Sequence, residues 1–420
     1  MSELTCEIAI IGAGLAGACT AALLARASGV RADRLLLVAS NLGELRAEPP
    51  LAGAAPELRV VAVSRASEQI LTSADAWRRL PPERLCAYER MRVWEESTRF
   101  DAAGSLCFDA AEIGEPNLGY IVENAWLQRA CLESFRDSGG QLLAGQLQAL
   151  AIDADAARLR LADGTKIAAR LVIGADGAGS AVRTLLSMPV RQQAFGQLGI
   201  VANLVTALPH DCTAWQRFLP GGPLALLPLF DGSCSLVWSL EESAARALQA
   251  CDDEQFNAQV TVAADAVLGA MTLRGARHGF PLQRLSVSDF VAPRAALLGD
   301  AAHVIHPLAG QGANLGLLDA EALCESVAAA LAVREDPGAL RALRRYEQRR
   351  RAHSRLMDAA TSAFHYGFAL PGPMAWLRTR AIEQVDHSRA LKRFFAHEAL
   401  GMGWFRPRRP TVRAWPARRV

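Results

Sequence analysis

One short segment near the N-terminus restricts the fold more than any other. Glu7-Ile-Ala-Ile-Ile11 is an apolar run of strand composition, and Gly12-Ala-Gly14-Leu-Ala-Gly17 follows it without a spacer. A helical pattern continues from Ala18 to Ala27 and stops at Ser28-Gly29, where glycine suits a helix terminus. A strand, three glycines at GxGxxG spacing and a helix make a Rossmann-type unit. The glycines allow the tight turn, the close approach of a pyrophosphate and the contact between helix and strand. Ile8 to Ala25 is uncharged over eighteen residues, long enough to be mistaken for a membrane span or signal sequence. It follows Glu3 and Glu7 rather than a basic segment, and the glycines interrupt it, so it reads as a buried strand and helix.

The unit lacks one expected part. About 20 residues after the glycines an acidic side chain should end the second strand and hold the adenosine ribose. Arg34-Leu-Leu-Leu-Val38 is that strand, but Ala39-Ser40-Asn41 follows it. Ser40 or Asn41 offers a neutral hydrogen bond, worth roughly 0.5–1.5 kcal/mol against roughly 1.5–3 for a charged one. The departure bears on affinity more than on identity.

Two later segments share this character. Leu171-Val-Ile-Gly174-Ala-Asp176-Gly177, with Ser180 and Arg183 beyond, runs a strand into a turn that is common by itself. Leu298 to Leu323 reads LGDAAHVIHPLAGQGANLGLLDAEAL. The strand Arg294–Leu298 leads into Gly299-Asp300, then a Pro/Gly-rich loop, then a helix whose Leu315, Leu318, Ala322 and Leu323 fall at i, i+3, i+7, i+8. The loop empties into a helix N-terminus with unpaired N–H groups, where Gly310, Gly312 and Gly316 admit a flat or anionic ligand. Asp300 is either the acceptor for a ribityl or ribose hydroxyl or a capping residue.

GDAAHxxHPxxGQGxNLGxxDA resembles the second FAD-binding motif of the p-hydroxybenzoate hydroxylase superfamily. More narrowly it is similar to the ubiquinone-biosynthesis hydroxylases, the 2-octaprenylphenol and 6-methoxyphenol hydroxylase family. Gly-Ala-Asp-Gly resembles the DG motif that joins flavin and nicotinamide binding there, and the three motifs stand in family order over about 5–325. The resemblance implies that Gly12, Gly14 and Gly17 hold the FAD pyrophosphate, that Ser40 stands at the ribose, and that Asp176, Gly177, Gly310 and Gly312 approach the cofactor. Asp300 then binds the ribityl chain, Asn314 and Leu315 offer amides to the flavin pyrimidine edge, and Pro307 lies over the face where oxygen reacts. Arg59, in Glu57-Leu-Arg59-Val-Val-Ala-Val-Ser64, approaches the flavin by the same resemblance; a surface ion pair is the alternative. Asn124, after Leu118-Gly-Tyr-Ile-Val-Glu, contacts the cofactor or caps its helix, roles that can coexist. His303 and His306 flank the loop and either titrate near neutral pH or bond structurally. Neither has partners at metal spacing, so no metal site is expected.

With 420 residues the chain can bury a large core in two or three domains. Hydrophobic residues at 51% and aromatics at 6% describe an ordinary globular protein, and a net charge of +2 argues against nucleic acid as a partner. The nine cysteines are scattered and never spaced CxxC, suggesting reduced thiols and a cytoplasmic location, with contact at the periphery of the inner membrane as a further expectation. Ser67 to Leu80 is helical by period, and Arg92 to Phe108 reads as strands with Trp94 and Phe100 inward. Gly199–Leu204, Gly222–Phe230 and Ser233–Ser239 read as antiparallel strands, the last two joined through Asp231-Gly232. Leu224, Leu226, Leu227, Trp238 and Phe280 line a pocket for a prenylated ring or are simply core. Leu340 to Ala363 reads as a charged helix with a solvated face carrying Arg344, Arg345, Arg349, Arg350 and Arg351. The last twenty residues hold Trp404, Phe405, Trp415 and arginines 406, 408, 409, 413, 418 and 419 without an acid. Such a tail meets an anionic membrane surface or a partner enzyme of a ubiquinone-biosynthesis complex, or is disordered.

The expected fold is α/β (α+β overall): a Rossmann-like FAD-binding domain (1–75, 101–185 and 276–340) with an inserted antiparallel-sheet substrate domain (76–100 and 186–275), a C-terminal helical region (341–400) and the tail (401–420). The resemblance implies an FAD monooxygenase in which NADH or NADPH binds transiently and reduces the flavin. Oxygen then adds at C4a, and the hydroperoxide hydroxylates a hydrophobic prenylated phenol in ubiquinone biosynthesis. No second GxGxxG holds a nicotinamide, which fits transient binding. Two alternatives stay open: a flavoprotein oxidase or reductase of isoprenoids, and a flavin-poor scaffold in a ubiquinone-biosynthesis complex.

Overall fold

The computed structural model describes residues 3–42, 53–102, 105–305, 311–369, 388 and 400–401. Its first sheet has eight strands. Val291–Ala292, Ala295–Leu297, Lys166–Gly174, Leu4–Ile11, Leu35–Ala39 and Gln141–Ala144 lie side by side, and a hairpin of Leu147–Ile152 and Ala157–Leu161 joins through Lys166–Gly174. Leu4–Ile11 pairs in parallel with Leu35–Ala39 on one side and Lys166–Gly174 on the other. Their apolar runs are buried on both faces, as parallel strands require. The helices Leu15–Arg26, Asn124–Asp137 and Gln311–Ala332 pack together on this layer. Because the strand order reverses about Leu4–Ile11, a crevice opens beyond the carboxyl ends at Ile11, Ala39 and Gly174.

The second sheet also has eight strands, in the order His303–Val304, Met271–Val287, Val190–Thr206, Cys234–Glu241, Gly222–Pro228, Thr213–Leu219, Arg90–Glu95, Leu106–Asp109. All its pairings are antiparallel except Thr213–Leu219 with Arg90–Glu95. One face packs on the helices Glu242–Ala250 and Asp253–Ala263, burying Leu224, Leu226, Leu236 and Phe256. Beyond Trp94 and Phe100, the expected inward pair, Trp215 completes an edge-to-face triangle with centroids 5.8–6.3 Å apart. A three-stranded sheet of Val60–Ser64, Gly119–Glu123 and Cys86–Tyr88 joins the two halves.

Several expectations need adjustment. The helix expected over Ser67–Leu80 runs from Arg65 to Ser73, because Ser64 Oγ caps it at Ser67 N and Asp75 turns the chain at φ 59° into a short 3-10 turn at Trp77–Arg79. A boundary at 100/101 cuts the hairpin of Arg90–Glu95 with Leu106–Asp109, and one at 275/276 cuts the strand Met271–Val287. Thr213–Leu219 is a strand that the pattern reading passed over. The helix Leu340–Ala369 is not solvated throughout. Tyr346, Glu347 and Arg350 are buried: Tyr346 Oη donates to Leu297 O (2.7 Å), and Glu347 Oε1 accepts from Phe290 N (2.9 Å). No helix of the described residues is long and apolar enough to cross a membrane, and all nine cysteines are free.

Candidate active site

A cavity of about 1310 Å³ runs from the crevice of the parallel sheet to the open face of the second sheet. At its nucleotide end the three glycines have distinct duties. Gly12 has φ +103°, and a Cβ there would meet Ala175 O at 2.3 Å; one on Gly17 would meet Gly12 O at 2.1 Å. These two let helix and strands touch. At Gly14 a Cβ would meet nothing within 4 Å, so this glycine faces the cavity. The helix Leu15–Arg26 begins at Gly14 with no side-chain cap and no acidic residue in its first turn, which leaves its first N–H groups open to an anion. Ala39, Ser40 and Asn41 line the next stretch, as does Asn124. Asn124 is the first helical residue and Glu123 holds the cap position, so the capping alternative falls away.

Glu123 is itself sealed in. Arg84 Nη2 and Nε donate to its two oxygens at 2.6 and 2.7 Å, Glu57 N donates at 2.8 Å, and the Arg84 guanidinium lies 4.4 Å over the Phe230 ring. Fork geometry and a fully satisfied carboxylate make this a rigid joint between the cavity wall and the second sheet.

Arg59 and Asp300 both line the middle of the cavity, and among the described residues Arg59 forms no ion pair. Crowding by protein atoms pushes the Asp300 carboxyl pKa up, against the opposing pull of His303 and Arg59. Asp176 and Gly177 line it as well, and Asp176 accepts from Ser180 Oγ (2.5 Å) and Ala181 N (2.7 Å), fixing the turn. Gly312, Ala313 and Gly316 bring the N-terminal turns of Gln311–Ala332 to the wall. Asn314 and Leu315 sit behind them. Asn314 Oδ1 accepts from Ser67 Oγ (2.7 Å) and Ser64 N (3.1 Å), and its Nδ2 donates to Ala62 O (2.8 Å). Its side chain therefore pins that helix to the Val60–Ser64 strand. His306, Pro307 and Gly310 lie outside the described residues.

His303 is absent from the cavity wall. It is 5% exposed and bonds through Nε2 to Asp319 Oδ2 at 2.6 Å. Asp319 also accepts from Gly299 N (3.0 Å) and Arg350 Nε (2.6 Å), and Arg350 Nη1 lies 2.7 Å from His353 Nδ1. Burial alone would raise the Asp319 carboxyl, but His303 and Arg350 hold it well below the usual carboxylate range. The bond to Asp319 is one that the structural reading of His303 calls for. The cluster clamps the Gly299-Asp300 turn from behind. Neither Asp319 nor Arg350 was singled out from sequence; Asp319 stood inside the quoted motif, but Arg350 carried no signal among its arginine neighbours. Arg183 adds a second clamp by donating to Ala301 O at 2.8 Å.

In the substrate half the expected residues need correction. Leu224, Leu226 and Trp238 are buried in the core on the helix side of the sheet and do not line the cavity. The wall is built from the alternate positions Pro223, Ala225, Leu227, Val237 and Ser239, with Ala214 and Gln216 from the neighbouring strand. Side chains alternate across a strand, so a one-residue shift exchanges faces. Phe280 does line the cavity, at its exposed margin beside His278 and Pro281.

The wall thus combines an uncapped helix N-terminus with an open glycine, hydroxyl and amide groups at the second strand end, a carboxylate, and a second glycine-lined helix start. That donor set fits a dinucleotide carrying a polyhydroxyl linker and a flat ring. A family profile described as FAD binding domain matches residues 143–361. The 3-demethoxyubiquinol 3-hydroxylase of Escherichia coli (strain K12) is 34% identical over 406 residues, covering 96% of this chain and 100% of the relative. The mitochondrial ubiquinone biosynthesis monooxygenase COQ6 of Drosophila melanogaster is 32% identical over 94% of this chain and 90% of its own length. Among solved structures, p-nitrophenol 4-monooxygenase PnpA from Pseudomonas putida DLL-E4 superposes with a TM-score of 0.75 at 17% identity, covering 96% of this chain and 99% of that one. A Klebsiella pneumoniae HpxO variant complexed with FAD gives 0.72 at 20% identity, over 95% and 99% of the two chains. The similarity in sequence along nearly the whole chain, over a cavity shaped for a flavin dinucleotide, has one consequence: the chain belongs to the FAD-dependent ubiquinone-biosynthesis hydroxylases.

Proposed function

We propose that the protein hydroxylates a hydrophobic, prenylated phenol of ubiquinone biosynthesis, using O2 and transiently bound NADH or NADPH. The observation that carries this reading is the continuity of the cavity from Gly14 and Ser40, past Arg59 and Asp300, to the apolar wall of Ala225, Leu227 and Val237. Gly14 and the Leu15–Arg26 helix would hold the pyrophosphate, Ser40 the ribose, and Asp300 the ribityl chain. Bound FAD supplies acceptance of a hydride from the nicotinamide and activation of oxygen for transfer to an electron-rich ring. The chain's own residues do the rest. Ala225, Leu227 and Val237 exclude water from the reacting ring. Arg59 and the N-terminal turns at Gly312 and Ala313 favour negative charge that develops beside them. Asp319, Arg350 and Arg183 keep the Asp300 turn in place without touching a ligand.

We further assign the basic, aromatic sequence of 401–420 to contact with an anionic membrane surface, in a protein otherwise cytoplasmic; docking to a partner enzyme is the second reading. Each arginine near such a leaflet contributes on the order of 1 kcal/mol. Truncation after Gly401 should weaken sedimentation with anionic vesicles at low salt and leave flavin content unchanged. Equal sedimentation of both forms would rule the membrane contact out. The catalytic assignment is tested by turnover: flavin-loaded protein should convert a short-chain prenylated phenol to its hydroxylated product in step with NAD(P)H loss. NAD(P)H loss yielding only hydrogen peroxide or a reduced isoprenoid would favour the oxidase or reductase reading.

A further inference from the structure

Two polar side chains in the substrate half line the cavity with no partner among the described residues of the protein. Gln216 is 5% exposed and Ser239 is 2% exposed, and both line the cavity. Among the described residues neither the carboxamide nor the hydroxyl makes a hydrogen bond. Strand register fixes where they stand. Gln216 pairs with Ala225, Ala225 with Val237 and Val237 with Val201, so these four form one row across the open face. Ser239 belongs to the next row, opposite Gly199, which in turn opposes Phe280. A Cβ on Gly199 would meet the Phe280 ring at 2.8 Å, so that ring covers the row.

With no protein partner among the described residues, this amide and hydroxyl present their hydrogen-bonding capacity to the cavity, and a ligand that closes over them without matching it leaves them desolvated. Both groups donate and accept, so they suit neutral oxygen substituents such as a phenolic hydroxyl or a ring methoxy. No lysine or arginine projects from these rows; His278, which opposes Val201 and also lines the cavity, extends the first row four strands away from Gln216, and Arg59 stands beside another sheet. A ring carboxylate placed beside Gln216 and Ser239 would be desolvated with no cationic side chain on a neighbouring strand of the row.

Resting on the hydroxylase reading above, we infer that Gln216 and Ser239 are specificity-determining contacts for the oxygen substituents of a neutral aromatic ring, and that this wall rejects ring carboxylates. The hydrocarbon chain lies along the apolar remainder of the two rows.

The test is a titration of the flavin-loaded full chain without NAD(P)H, followed by the change in flavin absorbance. The probes are a short-chain prenylated methoxyphenol, the matching prenylbenzene without ring oxygens, and the matching prenylated hydroxybenzoate. The wild type should bind the phenol about tenfold or more tightly than either other probe. Gln216→Leu and Ser239→Ala should each weaken phenol binding about three- to tenfold, the range of one neutral hydrogen bond, and leave prenylbenzene binding unchanged. Either variant alone suffices should the other fail to fold. Variants that keep the full preference for the phenol, or a hydroxybenzoate that binds as well as the phenol, overturn the inference and leave the hydroxylase reading standing. A wild type that binds none of the three and turns over no phenol overturns both.

Discussion

Acid should loosen the cluster behind the Gly299-Asp300 turn through one residue, His353. Its side chain is 8% exposed, and burial, with the neighbouring Arg350 guanidinium adding to it, lowers its pKa from 6.5 to about 4. In the unfolded chain the imidazole takes up a proton as pH falls through 6.5, whereas in the folded protein it stays neutral until about 4. The unfolded state therefore binds more protons over that window. Stability from this residue is fully present above pH 6.5 and declines as pH falls toward about 4. The shift of about 2.5 units (6.5 minus about 4), at about 1.4 kcal/mol per unit, sets a ceiling of about 3 kcal/mol. His353→Gln keeps an acceptor for Arg350 and removes the titration. Chemical denaturation of both proteins at pH about 7 and about 4.5 should show the wild type losing about 2–3 kcal/mol more than the variant. Parallel losses in the two would refute the assignment of this acid sensitivity to His353.

Other substitutions separate cofactor binding from folding. Asp300→Ala should release FAD, since a charged acceptor worth roughly 1.5–3 kcal/mol is lost; flavin absorbance of the purified variant reads it, and full retention would contradict the role. Gly14→Val should strip FAD while the melting temperature of the flavin-free protein holds, because the added side chain meets only open cavity; a loss of the fold instead would show that Gly14 serves packing. Asp319→Asn should cost about 3–5 kcal/mol by leaving Arg350 buried without its carboxylate, and a denaturation midpoint within error of wild type would dismiss the clamp. Ala39→Glu or Ser40→Glu should tighten FAD roughly ten- to hundredfold by supplying a charged partner at the second strand end. Fluorescence of released FAD gives the constants, and no gain in either variant would place the ribose contact elsewhere.

The nucleotide half was legible because its glycines stand where backbone geometry admits nothing else. Gly12 and Gly17 abut carbonyls at distances no side chain tolerates, and such constraints survive in a sequence as fixed spacing. The substrate half was legible as strands but not as faces. Gly222–Pro228 is apolar on both sides, one packed on helices and the other turned to the cavity, so alternation carries no contrast to choose between Leu224 and Ala225. In Cys234–Glu241 the polar positions Ser235, Ser239 and Glu241 do alternate with Cys234, Leu236, Trp238 and Leu240 and mark the face away from the helices. Gln216 was missed with its strand, although Trp, Phe and Thr between Pro209 and Pro220 are the residues a strand favours. From its place in the motif His303 suited a titrating or a structural role. Its partner Asp319 lies sixteen residues on, and Arg350 a further thirty-one, and no local pattern connects side chains that meet only after the helix Leu340–Ala369 has folded back.

Oxygen transfer to an aromatic ring is the central activity proposed for this protein. Purified flavin-loaded protein, supplied with NADH or NADPH, a short-chain prenylated phenol and isotopically heavy O2, should yield a hydroxylated phenol that carries one heavy oxygen atom, close to one product per nicotinamide oxidised. Mass spectrometry that finds nicotinamide oxidised but the phenol unlabelled, or labelled from water, would contradict it.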